Sequence, residues 1–124
     1  MSTDPLLGDL LSDARTVVRR LMDEPPSTVD ELSGELVRFE ATVRAHATDL
    51  SRADWETGLS LVARARALLS RWEALDHRGR RRVQVAVRYL TMEDDGDRDL
   101  TSAFGFDDDE EVLDAVERAL GERP

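Results

Sequence analysis

The chain of 124 residues and 13.9 kDa has the size of one domain, and its formal net charge is −10, with 27 acidic and 17 basic side chains. Such an excess of acid disfavours binding to nucleic acids, which are polyanions. Because the chain contains no cysteine, disulfides, thiolate metal sites and cysteine nucleophiles are excluded.

Two long helices are predicted in the first part of the chain, over about residues 4–22 and 28–50. Asp4 followed by Pro5 is typical of a helix start, and Pro25 ends that segment. Thr28, with Glu31 one turn later, has the pattern of a capping box and predicts the second start. Apolar residues recur at helical spacing in both segments. They are Val17, Val18 and Leu21 in the first, and Leu32, Leu36, Phe39 and Val43 in the second.

A third long helix is predicted over about residues 52–75, opening after Ser51, and a helix-loop-helix over about residues 80–121 completes the chain. Only the stretch from Val83 to Val87 has the composition of a strand, and it lies inside a longer helical pattern. The expected fold is therefore all-α: a single domain over residues 1–124, built as a compact bundle of about five helices, with an acidic loop before the last helix.

The charges are unevenly distributed along the chain. Residues 1–50 hold 10 acids and 5 arginines, residues 51–90 hold 4 and 9, and residues 91–124 hold 13 and 3. We expect the basic middle to pair with the acidic tail inside the domain, because oppositely charged helices of one small domain attract each other.

The composition favours helices and a cytoplasmic setting. Aromatic residues make up only 5% of the chain, so the core is expected to consist mainly of Leu, Val and Ala. Every basic residue is arginine, and lysine, isoleucine and asparagine are absent, which is typical of GC-rich bacterial genomes. The acidic first residues do not fit a signal peptide, and no apolar run approaches the ~20 residues of a membrane span. We expect a bacterial cytoplasmic protein.

A contact surface for another protein is the first functional prediction. The apolar faces of the second and third helices are long for a bundle of this size, and interfaces favour tryptophan and arginine as anchors. They predict docking to a partner or self-association. The candidate interaction residues are Trp55, Trp72, Arg80, Arg81, Arg82, Phe104 and Phe106.

A calcium site is a second hypothesis, since carboxylates at alternate positions of a loop can converge on one cation. Asp95, Asp97 and Asp99 have that spacing, and Asp108 is a further candidate ligand. An EF-hand loop opening at Asp95 would need glycine at its sixth position and glutamate at its twelfth, where this chain has Leu100 and Phe106. A solvated acidic loop, with the aspartates before the last helix acting as caps, is the alternative interpretation.

No catalytic constellation is found in the sequence. His46 and His77 lack a metal-ligand pattern around them, and Ser60 and Ser70 lack the turn motif of a nucleophile. We therefore predict a non-enzymatic interaction or adaptor module without a cofactor, acting alone or as a subunit of a larger assembly. The alternative is a regulator that responds to calcium or, through the arginines of residues 78–82, is linked to nucleic acid.

One segment, residues 89–109, combines a tyrosine, a glycine and spaced aspartates: Tyr89, Asp95, Asp99, Gly105, Asp108 and Asp109. By this spacing, the segment resembles the YkvA-like bacterial domain of unknown function. The resemblance implies a helical module that ends in a structured helix-loop-helix. The family supplies no settled activity, so the resemblance indicates a shape and no reaction.

Overall fold

The computed structural model describes residues 12–46, 48, 51–91 and 107–121, and it confirms the all-α fold class. Its helices are α1 (Ser12–Met22), α2 (Val29–Ala45), α3 (Arg52–Leu69), α4 (His77–Thr91) and α5 (Asp107–Gly121), with a 3₁₀ turn at Trp72–Ala74 between α3 and α4. No strand occurs in these described ranges. In the same ranges, no helix is long and apolar enough to cross a membrane.

The start of α2 has the predicted capping box. The Thr28 hydroxyl accepts a hydrogen bond from the Glu31 backbone N–H at 3.1 Å, and the Glu31 carboxylate accepts one from the Thr28 N–H at 3.0 Å. Ser51 caps α3 in a similar way, accepting from the Asp54 N–H at 3.0 Å. Both sequence patterns therefore identified the residue that caps the start of a helix.

Two helices end earlier than the sequence predicted. Helix α2 stops at Ala45 instead of continuing to residue 50, because His46 closes its last turn. The His46 ring nitrogen Nδ1 lies 2.9 Å from the Thr42 carbonyl oxygen, which can only accept, so Nδ1 carries the hydrogen. Helix α3 stops at Leu69 instead of residue 75, where the Ser70 hydroxyl donates to the Ala67 carbonyl at 2.6 Å.

The chain turns tightly between α3 and α4. Asp76 opens α4 by accepting from the Gly79 N–H at 2.8 Å, so α4 begins at His77, before the predicted residue 80. A Cβ atom on Gly79 would lie 3.1 Å from a Leu75 side-chain carbon. Glycine thus allows the turn to pack closely against the first turn of α4.

Helix α4 is the centre of the bundle and packs against each of the other four helices. Its residues from Arg82 to Val87 are all buried, together with Leu90. This unbroken burial explains why residues 83–87 look like a strand in the sequence, since a helix packed against several others carries buried residues at consecutive positions. Around it lie the predicted apolar faces, including Leu32, Leu36 and Val43.

Arginine ion pairs join the outer helices. Arg64 of α3 contacts Glu117 of α5 at 2.7 Å and also Asp114, which realises part of the predicted pairing between the basic middle and the acidic tail. The Glu117 hydrogen bond is the main reason why the pKa of Arg64 is raised. Glu40 of α2 pairs with Arg44 at 2.9 Å and with Arg66 of α3 at 3.0 Å. These hydrogen bonds lower the pKa of Glu40, and the bond from Arg44 has the larger effect.

Candidate interaction site at the α1–α2 loop

One face of α4 holds the loop that joins α1 to α2, residues 23–28. Gln84, only 4% exposed, receives a hydrogen bond from the Ser27 N–H at 2.8 Å and donates one to the Pro25 carbonyl at 2.9 Å. A primary amide can both accept and donate, which neither a carboxylate nor an apolar side chain can do at this position. One turn earlier, Arg81 donates to the Met22 carbonyl. The loop is therefore tied to α4 through its backbone.

Arg88 ties the same loop through charge. Its guanidinium donates to the Glu24 carboxylate at 2.7 Å and to the Ser27 hydroxyl. Its Nε lies 2.9 Å from Glu35 Oε1 of α2, close enough for an ion pair but not aligned for a hydrogen bond. These side chains are only 22–36% exposed, so a single arginine lies between two carboxylates at a partly buried position, and removing it would leave both carboxylates without a cation.

A groove of about 410 Å³ lies on one side of the loop, and we call it the basic groove. Trp72 and Val29, both partly buried and packed on the core, provide apolar surface in it. The Arg80 guanidinium lies 5.3 Å from the centre of the Trp72 ring, within the range of a cation–π contact. The full lining is Glu24, Pro26, Ser27, Thr28, Val29, Trp72, His77, Arg80, Arg81 and Gln84.

The charges of the two groove arginines are weakly compensated. Arg80 Nε donates to the Trp72 carbonyl at 2.9 Å, and its nearest carboxylate among the described residues is Glu73, at 4.0 Å and 93% exposed. Arg81 is exposed and contacts the Met22 carbonyl. Glu24, the carboxylate in the lining, forms an ion pair with Arg88. The groove therefore has a positively charged rim, formed by Arg80 and Arg81, beside an apolar floor, formed by Trp72 and Val29.

A second cavity, of about 580 Å³, lies on the other side of the loop, and we call it the acidic cleft. It shares Glu24, Pro26 and Ser27 with the basic groove, so the loop forms a ridge between the two. The rest of its lining is mostly charged: Pro25, Asp30, Glu31, Gly34, Glu35, Arg38 and Arg88. Two clefts of opposite charge thus lie side by side.

The structure brings three of the predicted interaction residues together, namely Trp72, Arg80 and Arg81. Arg82 does not belong to this surface: it is 7% exposed, because it follows Arg81 by one position and so turns toward the core. Trp55 lies in the first turn of α3, at the end opposite to Trp72, with its Nε1 buried and without a hydrogen-bond partner among the described residues.

The other predicted site residues lie outside the described residues. They are Asp95, Asp97, Asp99, Phe104 and Phe106, and the side chain of Asp108 is likewise not described. Within the described part of the chain, no group of three or more His, Asp or Glu side chains is arranged to hold a metal ion. The calcium hypothesis for residues 95–108 stays a prediction.

Sequence reasoning missed the residues that organise the site. Gln84 is the only polar residue within the apolar run of α4 at residues 83–87. A polar side chain at such a position indicates a buried hydrogen bond to a defined partner, and this was the signal in the sequence. Arg88 and Glu24 lie far apart in the sequence and carry no pattern that pairs them. Their contact depends on how the α1–α2 loop crosses α4.

Comparisons of the chain with protein-family models, with curated proteins and with solved structures find no match. The resemblance of residues 89–109 to the YkvA-like domain therefore stays a prediction.

Proposed function

We propose that this protein is a non-enzymatic interaction module of the bacterial cytoplasm, an adaptor or a subunit of a larger assembly, and that it binds its partner in the basic groove. One observation carries the proposal: two weakly compensated arginines, one exposed and one partly exposed, line an apolar groove that includes a half-buried tryptophan. Tryptophan and arginine are the residues that contribute most to protein interfaces, especially where they line a pocket.

The remaining described surface offers little other apolar area. Val37, at 58%, is the only large hydrophobic residue that is exposed in the described part of the chain. A flat apolar interface, such as that of many obligate dimers, would need a contiguous patch. The basic groove is therefore the better-supported place for a partner.

Catalysis in the same groove has less support. Ser27, His77 and Glu24 all line it, which is a set of residue types found in hydrolases. However, the Ser27 hydroxyl and the Glu24 carboxylate are both bonded to Arg88. A nucleophile needs a hydrogen bond to its base, and no such bond joins His77 to Ser27 in the described contacts.

Site-specific photo-crosslinking in the host cell tests this function. A photoreactive residue at position 81, on the groove rim, should capture a defined protein, and the same residue at Arg52 should not. Arg52 is 88% exposed and lies at the far end of α3, a helix of 18 residues and thus about 27 Å long. The captured protein is then purified and its affinity for the wild type measured by calorimetry.

Two tryptophan variants complete the test. Trp72→Ala should weaken binding of the purified partner by at least about tenfold, whereas Trp55→Ala, which removes the other partly buried tryptophan, should leave it unchanged. Thermal unfolding of both variants reports whether each still folds. Equal adducts from positions 81 and 52, or equal affinity of the two tryptophan variants, would show that the groove is not the contact.

A further inference from the structure

Arginines in the described part of the chain differ in the partners that they have. Arg64, Arg66 and Arg88 each contact a carboxylate within 3.0 Å. Arg80 and Arg81 in the basic groove have no comparable partner among the described residues. In a chain with a net charge of −10, weakly compensated cations that line a groove indicate what should bind there.

The groove also offers a place for an apolar side chain. Its volume of about 410 Å³ lies within the ~300–1,000 Å³ of typical binding pockets. Trp72 and Val29 supply apolar contact area, and the Trp72 ring is held in place by Arg80, which stacks on it and donates to its carbonyl. A large apolar side chain on this floor would place flanking carboxylates beside Arg80 and Arg81.

The neighbouring acidic cleft limits the length of an anionic ligand. It adjoins the groove across the ridge and brings Asp30, Glu31 and Glu35 near any ligand that extends past the loop. A nucleic acid carries charge along its whole length and would be repelled there, within the ~10 Å over which charges act at 0.1 M salt. A peptide can confine its carboxylates to the groove.

We infer that the basic groove binds a short acidic segment of a partner protein that carries one large apolar side chain. The apolar side chain contacts Trp72 and Val29, and the carboxylates on either side of it pair with Arg80 and Arg81. This inference depends on the proposed function, since it specifies the chemistry of the partner at the same site.

Synthetic peptides provide the test. The probe is a set of short peptides in which Leu, Phe or Trp is flanked by Asp and Glu, with matched sets flanked by Asn and Gln or by Lys. Binding of Leu and Phe peptides is followed by fluorescence in the Trp55→Phe background, where Trp72 is the remaining tryptophan, and binding of Trp peptides by calorimetry. At least one acidic peptide should bind at least about tenfold more tightly than its neutral match, and less tightly at high salt.

A charge reversal makes the test specific. The double variant Arg80→Glu, Arg81→Glu should lose at least about tenfold in affinity for the acidic peptide and gain affinity for the lysine peptide. Arg52→Glu, a reversal far from the groove, should change neither affinity. Circular dichroism checks that each variant is folded.

Several outcomes overturn the inference: no acidic peptide binds, neutral and acidic peptides bind equally, Arg52→Glu weakens binding as much as the double variant, or a single-stranded oligonucleotide displaces the acidic peptide. These outcomes are distinguishable from failure of the proposed function. If crosslinking finds a groove partner whose affinity is unchanged by the charge reversal, the proposed function holds and the inference that the partner segment is acidic is wrong. If peptides bind as expected but no cellular protein is captured, the chemistry holds and the function is wrong.

Discussion

Arg81 and Arg88 lie on the same face of α4, two turns apart, and their environments differ sharply. Arg88 is surrounded by Glu24, Glu35 and Ser27 and holds the α1–α2 loop against the bundle. Arg81 contacts a backbone carbonyl and otherwise faces solvent at the rim of the basic groove. The same residue type thus stabilises the fold at one end of the helix and leaves its charge exposed at the other.

The difference shows how stability and recognition can be separated within one helix. A partly buried charge that is paired inside the protein destabilises the fold when its partner is removed, and it has little left to offer a ligand. Charges left uncompensated contribute little to folding and remain available to a partner. Substitutions in the two halves of α4 should therefore have opposite effects on stability and binding.

The largest loss of stability is expected for Arg88→Met, which keeps the length of the side chain and removes its charge. Glu24 and Glu35 would then face each other, partly buried and without their cation. We expect the free energy of unfolding to fall by about 2–3 kcal/mol, below the value for a fully buried pair because solvent reaches these groups. Urea denaturation measures this change, and a loss below about 0.5 kcal/mol would contradict the role given to Arg88.

Gln84→Met should have the next largest effect. It preserves volume in the core and leaves the Ser27 N–H and the Pro25 carbonyl without their partner. The expected loss is about 1–2 kcal/mol, the usual cost of unsatisfied polar groups at partly buried positions. Amide hydrogen exchange offers a second readout, because Ser27 should exchange faster in the variant while Glu31, bonded to Thr28, should not.

Arg80→Met makes the same chemical change in the other half of the helix. It removes the contact with the Trp72 ring, which is worth about 0.5–1 kcal/mol. Denaturation should therefore show a smaller loss than for Arg88→Met. The comparison between the two halves of α4 would fail if the two substitutions had equal effects on unfolding.

Glu40→Gln measures what an ordinary ion pair outside α4 contributes to the free energy of unfolding. The hydrogen bonds from Arg44 and then Arg66 hold the pKa of Glu40 below its usual value of 4.5. A lowered pKa means that the stabilisation is present above pH 4.5 and is lost as the pH falls through the pKa of the folded protein. We expect wild type to exceed the variant by about 0.5 kcal/mol at pH 7, and the two unfolding curves to converge in acid.

Local patterns in the sequence predicted the fold class, both helix caps and most of the apolar faces, since those depend on neighbouring residues. The ends of α2 and α3 were missed because the side chains of His46 and Ser70 close these helices by contacts with backbone carbonyls. Neither residue type is a strong sequence signal for the end of a helix. Of the site, Trp72, Arg80 and Arg81 could be named in advance from residue type. Gln84 and Arg88 could not, because their partners are more than fifty residues away.

The central position of α4 also sets the order in which the fold can be completed during synthesis. Helices α2 and α3 can pack on each other as soon as they leave the ribosome, but the apolar faces of α1, α2 and α3 meet on a helix that is made after them. A nascent chain halted before residue 77 would therefore leave the parts of α1, α2 and α3 that pack on α4 exposed to solvent and to chaperones. Release from such chaperones should coincide with the emergence of residue 91.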